Sequence, residues 1–391
     1  MSSDAIAYVG VDDHDIDLFE GQYAVPNGMA YNSYVVRGEK TAVMDSVDAR
    51  FGEQWLANIA AVLDGRAPDY LVVQHMEMDH SANIKRFAET YPAAKIVSSQ
   101  MAFMMMKNYF GTDFVDQHVV VADGATLELG ADAAGKLHTL QFISAPNVHW
   151  PEVLFTYDAA EQTLFSADAF GTFGALDAEK PADWAHEARR YYFGIVGKFG
   201  VPVQAALKKV AALDVQTIAP LHGPVLVGNN ITEAIRLYSI WANYGVESEG
   251  VAIAYTSVYG NTKQAAERLA ELLREKGCPV AIFDLARTDT HQCVADAFRY
   301  GTLVLASTTY TGGVFPTMRE FIEHLTARGY QNRTVAFIEN GSWMPVAAKT
   351  MAALFAESTG ITFVEPRVTM KIAVTADTMT QLATLADVLL P

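Results

Sequence analysis

The segment Val72-Val73-Gln74-His75-Met76-Glu77-Met78-Asp79-His80 places four potential metal ligands within six residues, directly after an apolar run typical of a buried strand. A turn that leaves a strand can direct several side chains at one point. On a helix, His75 and Asp79 would share a face and Glu77 would point away from them. We therefore expect a loop to support this cluster, which is the densest group of candidate ligands in the chain.

Three more candidate ligands follow predicted strands further along the chain: His149, Asp168 and His222. Each of them alone would be interpreted as an ordinary loop or capping residue. Together with the cluster they provide four histidines and three carboxylates, which suit two ions that share a carboxylate better than one tetrahedral ion. Asp168 is the candidate bridge. Because nitrogen and oxygen ligands without thiolates favour iron or manganese, the predicted metal is redox-active iron.

The other histidines are interpreted as ordinary hydrogen-bonded residues: His14, His118, His138, His186, His291 and His324.

The chain is predicted to form two domains. Short alternating strands occupy Ile6 to Asp45, and helical and strand-like segments follow them. A helical pattern ends near Tyr244, and the polar residues Glu247 to Gly250 precede the apolar strand Val251 to Tyr255. We place the boundary there, which gives domains of residues 1–250 and 251–391. After it, strands and helices alternate regularly, a pattern that predicts a doubly wound parallel α/β sheet.

Three loops of the second domain follow predicted strands, at the edge where a doubly wound sheet binds ligands. The first loop combines hydroxyl groups with Gly260 at a helix N-terminus, an arrangement that suits a terminal phosphate, although an ordinary strand–helix turn is the alternative. Tyr310 and Trp343 are placed to sandwich a flat heterocycle. The candidate binding residues are Thr256, Ser257, Val258, Tyr259, Gly260, Asn261, Thr262, Ser307, Thr308, Thr309, Tyr310, Thr311, Gly312, Gly313, Asn340, Gly341, Ser342 and Trp343.

Composition and charge narrow the class of protein. The 391 residues carry a net charge of −17, which disfavours binding to nucleic acid or to an anionic membrane surface. Hydrophobic residues make up 51% of the chain and charged residues 19%, as expected of a globular protein. The two cysteines, Cys278 and Cys293, suit a reducing compartment, and no apolar run long enough to span a membrane occurs. We therefore expect a cytoplasmic protein.

The run His75-x-Glu77-x-Asp79-His80, followed by His149, Asp168 and His222, resembles the diiron site of flavodiiron proteins, which carry a metallo-β-lactamase-like αββα sandwich. In zinc hydrolases of that fold a histidine usually stands at the position of Glu77. The resemblance implies two irons. It assigns three residues to one iron, three to the other and Asp168 to the position between them: His75, Glu77 and His149 in the first set, and Asp79, His80 and His222 in the second.

The three loops of the second domain resemble the FMN site of flavodoxins, so the two resemblances together cover nearly the whole chain. They imply a flavodiiron oxidoreductase that reduces dioxygen to water, nitric oxide to nitrous oxide, or both, in the family's minimal layout without a further redox module after Pro391. Two ferrous ions and a reduced flavin hold the four electrons that dioxygen needs. The family resemblance further implies rubredoxin or a reduced deazaflavin as electron donor, and a head-to-tail homodimer or a dimer of such dimers.

Two alternatives stay open on the sequence alone. The first is a metallo-β-lactamase-like zinc hydrolase fused to a flavodoxin domain, against which Glu77 and the third carboxylate argue. The second is a flavodoxin-type electron carrier whose first domain is inactive, against which the complete set of seven ligand-type residues argues.

Overall fold

The structure, a computed structural model, describes residues 5–178 and 184–390. The chain divides into two compact units, Met1–Ser239 and Ile240–Pro391. Within the described residues, no helix combines the length and the apolar character needed to cross a membrane.

The first unit is built on two six-stranded sheets. Its strands are β1 (Ile6–Tyr8), β2 (Val11–Asp13), β3 (Leu18–Phe19), β4 (Tyr23–Ala24), β5 (Met29–Tyr31), β6 (Tyr34–Arg37), β7 (Thr41–Met44), β8 (Tyr70–Val72), β9 (Lys95–Ser98), β10 (His118–Val120), β11 (Thr126–Ala131), β12 (Leu137–Ser144), β13 (Leu154–Asp158), β14 (Thr163–Phe165), β15 (Thr217–Ala219) and β16 (Leu226–Val227). The strand orders are β1-β6-β7-β8-β9-β10 and β11-β12-β13-β14-β15-β16, and β2 pairs with β5 and β3 with β4 outside these sheets.

The helices that begin in this unit are α1 (Gly52–Val62), α2 (Met78–Ser81), α3 (Ile84–Thr90), α4 (Gln100–Phe110), α5 (Trp184–Tyr191), α6 (Gly200–Val210) and α7 (Asn229–Ala242). A π-helical segment, Tyr192–Val196, continues α5, and short 3-10 turns lie at Ala49–Phe51 and Gly197–Phe199.

The two sheets pack face to face around an apolar core. Alternate residues of each strand point inward, so that Val36 and Met44 of the first sheet meet Leu140 and Phe142 of the second. Helix α1 lies along the first sheet, where Trp55 Nε1 donates to Ser33 Oγ at 2.9 Å. Helix α6 is connected to the second sheet by Lys209, whose Nζ donates to the Ser144 carbonyl of β12 at 2.8 Å. This is the αββα sandwich that the resemblance to metallo-β-lactamase-like domains implies.

The second unit contains one doubly wound sheet. Its strands are β17 (Ser248–Tyr255), β18 (Val280–Asp284), β19 (Tyr300–Tyr310), β20 (Gly313–Val314), β21 (Arg333–Asn340), β22 (Ile361–Phe363) and β23 (Val368–Met370). Its helices are α8 (Asn261–Glu275), α9 (Thr290–Arg299), α10 (Pro316–Ala327), α11 (Ala347–Leu354) and α12 (Ala376–Leu389). The order β18-β17-β19-β21-β22 is parallel throughout, β23 also pairs with β21 in parallel, and only the short β20 is antiparallel. The predicted flavodoxin-like topology is confirmed.

Four helices were not predicted from the sequence: α2, α4, α9 and α11. Helix α4 contains four methionines within the nearly continuous apolar run 101–106, so its sequence has no clear helical period, although only Ala102, Phe103 and Met106 are buried in the structure. The helix is nevertheless defined at its start, because the Ser99 side chain accepts a hydrogen bond from the Ala102 backbone N–H at 3.2 Å.

The inward row of β12 predicts a large difference between two substitutions on one strand. Leu140 is fully buried between the sheets, whereas Leu137 is 72% exposed. We expect Leu140→Ala to lower the free energy of unfolding by about 2–5 kcal/mol, because it leaves a cavity in the core. Leu137→Ala, the matched control, should change it by no more than about 0.5 kcal/mol. Urea unfolding followed by circular dichroism tests this, and equal effects of the two variants would contradict the inward assignment.

Candidate functional site

Two kinds of local structure hold the ligand cluster that follows β8. His75 lies in a loop and Glu77 caps the one-turn helix α2 in an extended conformation, whereas Asp79 and His80 lie on α2 itself. The prediction of a loop for the whole cluster is therefore wrong for Asp79 and His80. The helical turn changes the chain direction after Glu77, so the two halves of the cluster face two neighbouring points rather than one.

The first group consists of His75, Glu77, His149 and Asp168. His149 Nε2 lies 3.2 Å from His75 Nε2, 3.0 Å from Glu77 Oε2 and 3.1 Å from Asp168 Oδ2. His149 belongs to the loop that follows β12, and Asp168 follows β14. Residues far apart in the sequence thus direct four ligand atoms at one point.

The second group consists of Asp79, His80 and His222. His80 Nε2 lies 2.9 Å from His222 Nε2 and 3.3 Å from Asp79 Oδ2. His222 Nε2 lies 3.2 Å from the same Asp79 oxygen. His222 follows β15, which is parallel to β14, so the loops after these two strands meet at one edge of the second sheet.

Asp168 lies between the two groups and turns one oxygen toward each. Its Oδ2 is 3.1 Å from His149 Nε2 and 3.6 Å from His75 Nε2. Its Oδ1 is 3.3 Å from His80 Nε2 and 3.8 Å from His222 Nε2. This is the geometry of a carboxylate that bridges two ions.

The donor set fits two metal ions. Neighbouring ligands of an octahedral ion with bonds of about 2.1–2.2 Å lie about 3 Å apart, close to the separations within each group. Both Asp79 carboxylate oxygens and Asp168 Oδ1 are buried and accept no hydrogen bond from the described residues. Buried anionic oxygens without donors are costly unless a cation neutralises them. The site therefore has the ligand atoms, the spacing and the unpaired charge that a metal pair requires.

The ring tautomers of His222 and His75 are fixed by hydrogen bonds at Nδ1, the nitrogen that points away from the two ligand groups. His222 Nδ1 donates to the Ala30 carbonyl at 2.7 Å, and His75 Nδ1 lies 2.9 Å from Glu152 Oε1. In each ring the nitrogen that faces the group, Nε2, is then left with a lone pair for a metal. Glu152 is fully enclosed and also accepts a hydrogen bond from the Met76 backbone N–H at 2.8 Å.

Charges within the site shift its titration in the metal-free state. Burial opposes protonation of His149, but Asp168 and Glu77 outweigh burial and raise its pKa to about 9. Burial likewise disfavours the ionised form of Asp168, but the neighbouring His75, His149 and His80 hold its pKa well below the usual range. Metal ions and protons therefore compete for the same imidazole nitrogens.

A glycine allows the His222 loop to pass close to a neighbouring segment. Gly223 has a φ of +75°, and a Cβ built there would lie 2.1 Å from Thr172 Oγ1. A side chain at this position would displace either Thr172 or the backbone that carries His222. The His222-Gly223 pair is thus a steric requirement of the site.

Sequence reasoning missed four residues around the ligands: Glu20, Asp45, Glu152 and Tyr191. Asp45 Oδ1 accepts a hydrogen bond from the Gln74 backbone N–H at 2.7 Å, and burial raises the Asp45 pKa to about 8. Desolvation and the nearby Glu77 raise the pKa of Glu20 to about 7. Burial and Asp168 raise the pKa of Tyr191 well above its usual value, so it keeps its O–H. No motif marks these residues. Glu20, Asp45 and Tyr191 reach the site from other segments of the chain, and Glu152, although it lies three residues after His149, contacts His75, which is distant in sequence.

The second unit contains a cavity of about 490 Å³ at the carboxyl ends of its parallel strands. Its volume is that of a small-molecule site. Fourteen of the eighteen predicted binding residues line it: Ser257, Val258, Tyr259, Asn261, Thr262, Thr308, Thr309, Tyr310, Thr311, Gly312, Asn340, Gly341, Ser342 and Trp343. Met344 and Ile372 line it as well and were not predicted.

The other four predicted binding residues are not among the cavity-lining residues. Thr256 and Ser307 are fully buried and hydrogen-bonded to each other at 3.0 Å. Thr256 follows β17, but Ser307 lies within β19, which continues to Tyr310, so the prediction of a loop from Ser307 onward is wrong for residues 307–310. Gly260 has a φ of +90° and precedes α8, and Gly313 lies in β20.

The cavity has the features that a phosphorylated flat ring requires. Helix α8 begins at Asn261, and Ser257, Asn261 and Thr262 line the cavity at this helix N-terminus, a setting that favours a phosphate. The Ser257 hydroxyl accepts a hydrogen bond from the Gly260 backbone N–H at 3.0 Å. Trp343 and Tyr310 both line the cavity and are 86% and 49% exposed, which leaves their faces available for stacking. The residues present therefore fit a flavin mononucleotide.

Comparison with known families matches both units. The family described as "ODP family beta lactamase" matches residues 29–223, and the family described as "Flavodoxin domain" matches residues 252–363.

The alignments with individual relatives include parts of both domains. The putative diflavin flavoprotein A 2 of Synechocystis sp. is 34% identical over 284 residues, which are 72% of this chain and 48% of that protein. The anaerobic nitric oxide reductase flavorubredoxin of Vibrio vulnificus is 29% identical over 86% of this chain and 69% of its own. An uncharacterized protein of Methanocaldococcus jannaschii is 30% identical over 90% of this chain and 87% of its own. The chain thus spans about half the length of the Synechocystis relative.

Solved structures agree with these matches. The rubredoxin oxygen:oxidoreductase of Desulfovibrio gigas superposes with a TM-score of 0.90 at 27% identity and covers 99% of this chain and 96% of its own. The flavodiiron protein of Giardia intestinalis superposes with a TM-score of 0.87 over 100% of this chain and 98% of its own, and at 24% identity it shows the same fold.

Glu152 provides a test of how His75 is held. We expect Glu152→Gln to weaken the binding of one metal ion by about 10- to 100-fold, because the carboxylate that orients and polarises His75 is lost. The ion held by Asp79, His80 and His222 should keep its affinity. Metal titration of the stripped protein against a competing chelator measures both affinities. The exposed Glu128→Gln on β11 is the control, and unchanged affinity in Glu152→Gln would refute the orienting role.

Proposed function

The chain belongs to the flavodiiron family, and from this premise we propose that it is an oxidoreductase that reduces dioxygen to water, nitric oxide to nitrous oxide, or both. The reaction is assigned to a non-haem diiron centre in the first domain that receives electrons from FMN in the second. The observation that carries the proposal is Asp168, whose two oxygens face two complete groups of buried ligands.

The names of the relatives support both substrates. The Vibrio vulnificus relative is named an anaerobic nitric oxide reductase, and the Desulfovibrio gigas structure is named a rubredoxin oxygen:oxidoreductase. Reduction of one dioxygen to two waters takes four electrons and four protons. Reduction of two nitric oxide molecules to nitrous oxide and water takes two of each.

We assign seven residues to the two irons. His75, Glu77 and His149 would hold one ion, Asp79, His80 and His222 would hold the other, and Asp168 would bridge them. When bound, the iron pair supplies one-electron redox chemistry at each ion and a place where a small gas molecule is reduced. Glu152 orients His75, and the Ala30 carbonyl orients His222.

The residues around the irons exclude water from the centre and keep a protonated hydroxyl group beside it. His75, His80 and His222 are completely buried, which excludes bulk water from the ligand side of the centre. Tyr191 keeps its hydroxyl proton and its ring lies 5.6 Å from that of His222. It therefore presents a neutral O–H group next to the ligands.

We assign the cavity of the second domain to FMN and keep the domain boundary at residue 250. Ser257, Asn261 and Thr262 would bind the phosphate, and Tyr310 and Trp343 would lie against the isoalloxazine. The remaining candidates named from the sequence, including Thr256 and Ser307 behind the cavity, would shape these loops.

Two alternatives are less well supported. A zinc hydrolase would not need Glu77 or a third carboxylate, and both are present among the converging groups. An electron carrier with an inactive first domain would not need buried, donorless carboxylate oxygens held beside four imidazoles.

The compartment and the partners of the protein are inferred from its cysteines, its net charge and the names of its relatives. The two free cysteines suit the reducing cytoplasm. The net charge of −17 disfavours nucleic acid and anionic membranes, and it gives no long-range attraction to an acidic carrier. Rubredoxin, which appears in the names of two relatives, or a reduced deazaflavin is the proposed electron donor. We further propose a head-to-tail homodimer, alone or paired into a dimer of dimers, in which the flavin of one chain faces the irons of the other.

Asp168→Asn tests the bridge. Loss of one anionic oxygen should lower iron content and abolish dioxygen and nitric oxide consumption, because neither group is complete without it. The fold and the bound FMN should survive, since the flavin domain has its own core. The exposed Asp116→Asn is the control. Normal turnover by Asp168→Asn, measured with an oxygen electrode, would show that Asp168 is no bridge.

Trp343→Ala tests the flavin assignment. Removal of the exposed indole should weaken FMN binding by a few-fold to about tenfold, as expected for a stacking contribution of about 0.5–1.5 kcal/mol, and should shift the flavin potential. Fluorescence titration of the flavin-free protein and redox titration measure these quantities. Tyr109→Ala, which removes an exposed aromatic from α4, should change neither. If Trp343→Ala behaved like that control, Trp343 would not contact the ring.

Heterodimers test the assembly. A metal-deficient chain carrying Asp79→Asn and His80→Ala is mixed with a flavin-deficient chain carrying Ser257→Asp and Thr262→Ala. If electrons pass between chains, subunit exchange should restore oxygen consumption, because some mixed dimers pair intact flavin with intact irons on opposite chains. A mixture that stays inactive after exchange has been demonstrated by mass spectrometry would exclude the head-to-tail arrangement.

A further inference from the structure

A second cluster of metal-ligating side chains lies in the first domain, away from the diiron ligands. It consists of Asp132, His138 and Glu161. His138 is near the start of β12 and Asp132 is in the turn before that strand, whereas His149 follows the other end of β12. Since β12 has eight residues, the cluster and the diiron ligands lie at opposite edges of the sheet, roughly 20 Å or more apart.

His138 is a fully buried histidine on the apolar row of β12. Its side chain has no exposed surface, and Leu140 and Phe142 follow it on the inward face. Its Nδ1 lies 2.7 Å from Oδ2 of Asp158, whose side chain is also completely buried. When Nδ1 donates its hydrogen to this carboxylate, Nε2 is left with a lone pair. This carboxylate–histidine pair is how metal-binding imidazoles are commonly oriented in proteins.

The lone pair of Nε2 faces carboxylates. Asp132 Oδ1 is used within the turn, where it accepts from the backbone N–H groups of Ala134 at 2.9 Å and Lys136 at 2.8 Å. Its other oxygen, Oδ2, lies 3.4 Å from His138 Nε2. Two ligands of a tetrahedral ion with bonds of about 2.1 Å are about 3.4 Å apart. Each of Asp132, His138 and Glu161 offers one ligand atom, and these three atoms lie within 4.8 Å of one another.

The local charge balance also favours a cation. With a neutral imidazole, the three carboxylates of Asp132, Asp158 and Glu161 face one ammonium among the described residues, that of Lys136, which lies 2.8 Å from Glu161 Oε1. The excess of two negative charges is what one divalent ion neutralises. The Lys136 side chain is 49% exposed, so it can move into solvent without leaving a buried charge.

From these contacts we propose that Asp132, His138 and Glu161 bind one divalent transition-metal ion of the zinc type, with Asp158 as the positioning residue for His138. An imidazole ligand with two carboxylates suits Zn²⁺ better than Mg²⁺ or Ca²⁺, which prefer oxygen ligands. The ion would join the β11–β12 turn to the β13–β14 turn and thereby stabilise this edge of the sheet. The competing arrangement is a metal-free ion pair in which a proton on Nε2 replaces the metal.

The test is a Zn²⁺ titration of the intact iron- and FMN-loaded protein by calorimetry, with iron content measured before and after. We expect one Zn²⁺ to bind per chain without loss of iron. Asp132→Asn keeps the turn hydrogen bonds through Oδ1 and should weaken Zn²⁺ binding at least tenfold, as should Asp158→Asn. Asp123→Asn is the matched control, because Asp123 Oδ1 also accepts a hydrogen bond from a backbone N–H, that of Ser144, and Asp123 is not part of this cluster.

A second readout uses Co²⁺, whose visible absorption is strong only in a tetrahedral site. The wild-type protein should develop this absorption and the His138→Gln variant should not. If His138→Gln does not fold, Asp132→Asn decides the matter, since its side chain lies at the edge of the cluster and is 12% exposed. Absence of Zn²⁺ binding to the wild-type protein, displacement of iron instead of additional binding, or equal affinity in Asp132→Asn and Asp123→Asn would overturn the proposal and leave the protonated ion pair.

Discussion

The structure of the first domain depends on an electrostatic constraint: four imidazoles and three carboxylates converge in a space from which water is largely excluded. Two pairs of Nε2 atoms lie 2.9 and 3.2 Å apart, and three carboxylate oxygens there accept no hydrogen bond from the described residues. Without metal ions, the buried carboxylates are balanced by protons on the imidazoles, as the raised pKa of His149 indicates, and these protons occupy the nitrogens that would bind the metal. Metal ions therefore stabilise this part of the fold as well as enabling its chemistry.

The sandwich meets this constraint by bringing strand ends together. His75 follows a strand of the first sheet, and Asp168 and His222 follow parallel strands of the second. Gln74 connects the sheets at this edge, because its side-chain amide donates to the carbonyls of Leu154 and Phe165 at 3.2 and 3.0 Å. The flavin cavity uses the same principle in a separate unit with its own core, at the carboxyl ends of parallel strands.

The metal-ligating residues could be predicted from the sequence, but the residues that orient them could not. Metal ligands concentrate in short runs after apolar strands, so the His75 to His80 cluster was visible, but the helical turn of α2 was too short to have a periodic pattern. Glu152 was missed because nothing local distinguishes it from a surface glutamate. His138 was interpreted as an ordinary histidine because its partners are not its neighbours in the sequence. Asp132 and Glu161 lie in two hairpin turns, and only the strand register brings Asp158 beside His138.

If one chain combines a diiron centre with a flavin, protein produced with excess iron and purified without oxygen should contain two irons and one FMN per chain. The reduced protein should consume dioxygen without release of peroxide, and metal analysis, flavin analysis and an oxygen electrode measure these quantities. Zinc at full occupancy of the seven-ligand site under these conditions, with iron absent, would contradict the diiron assignment.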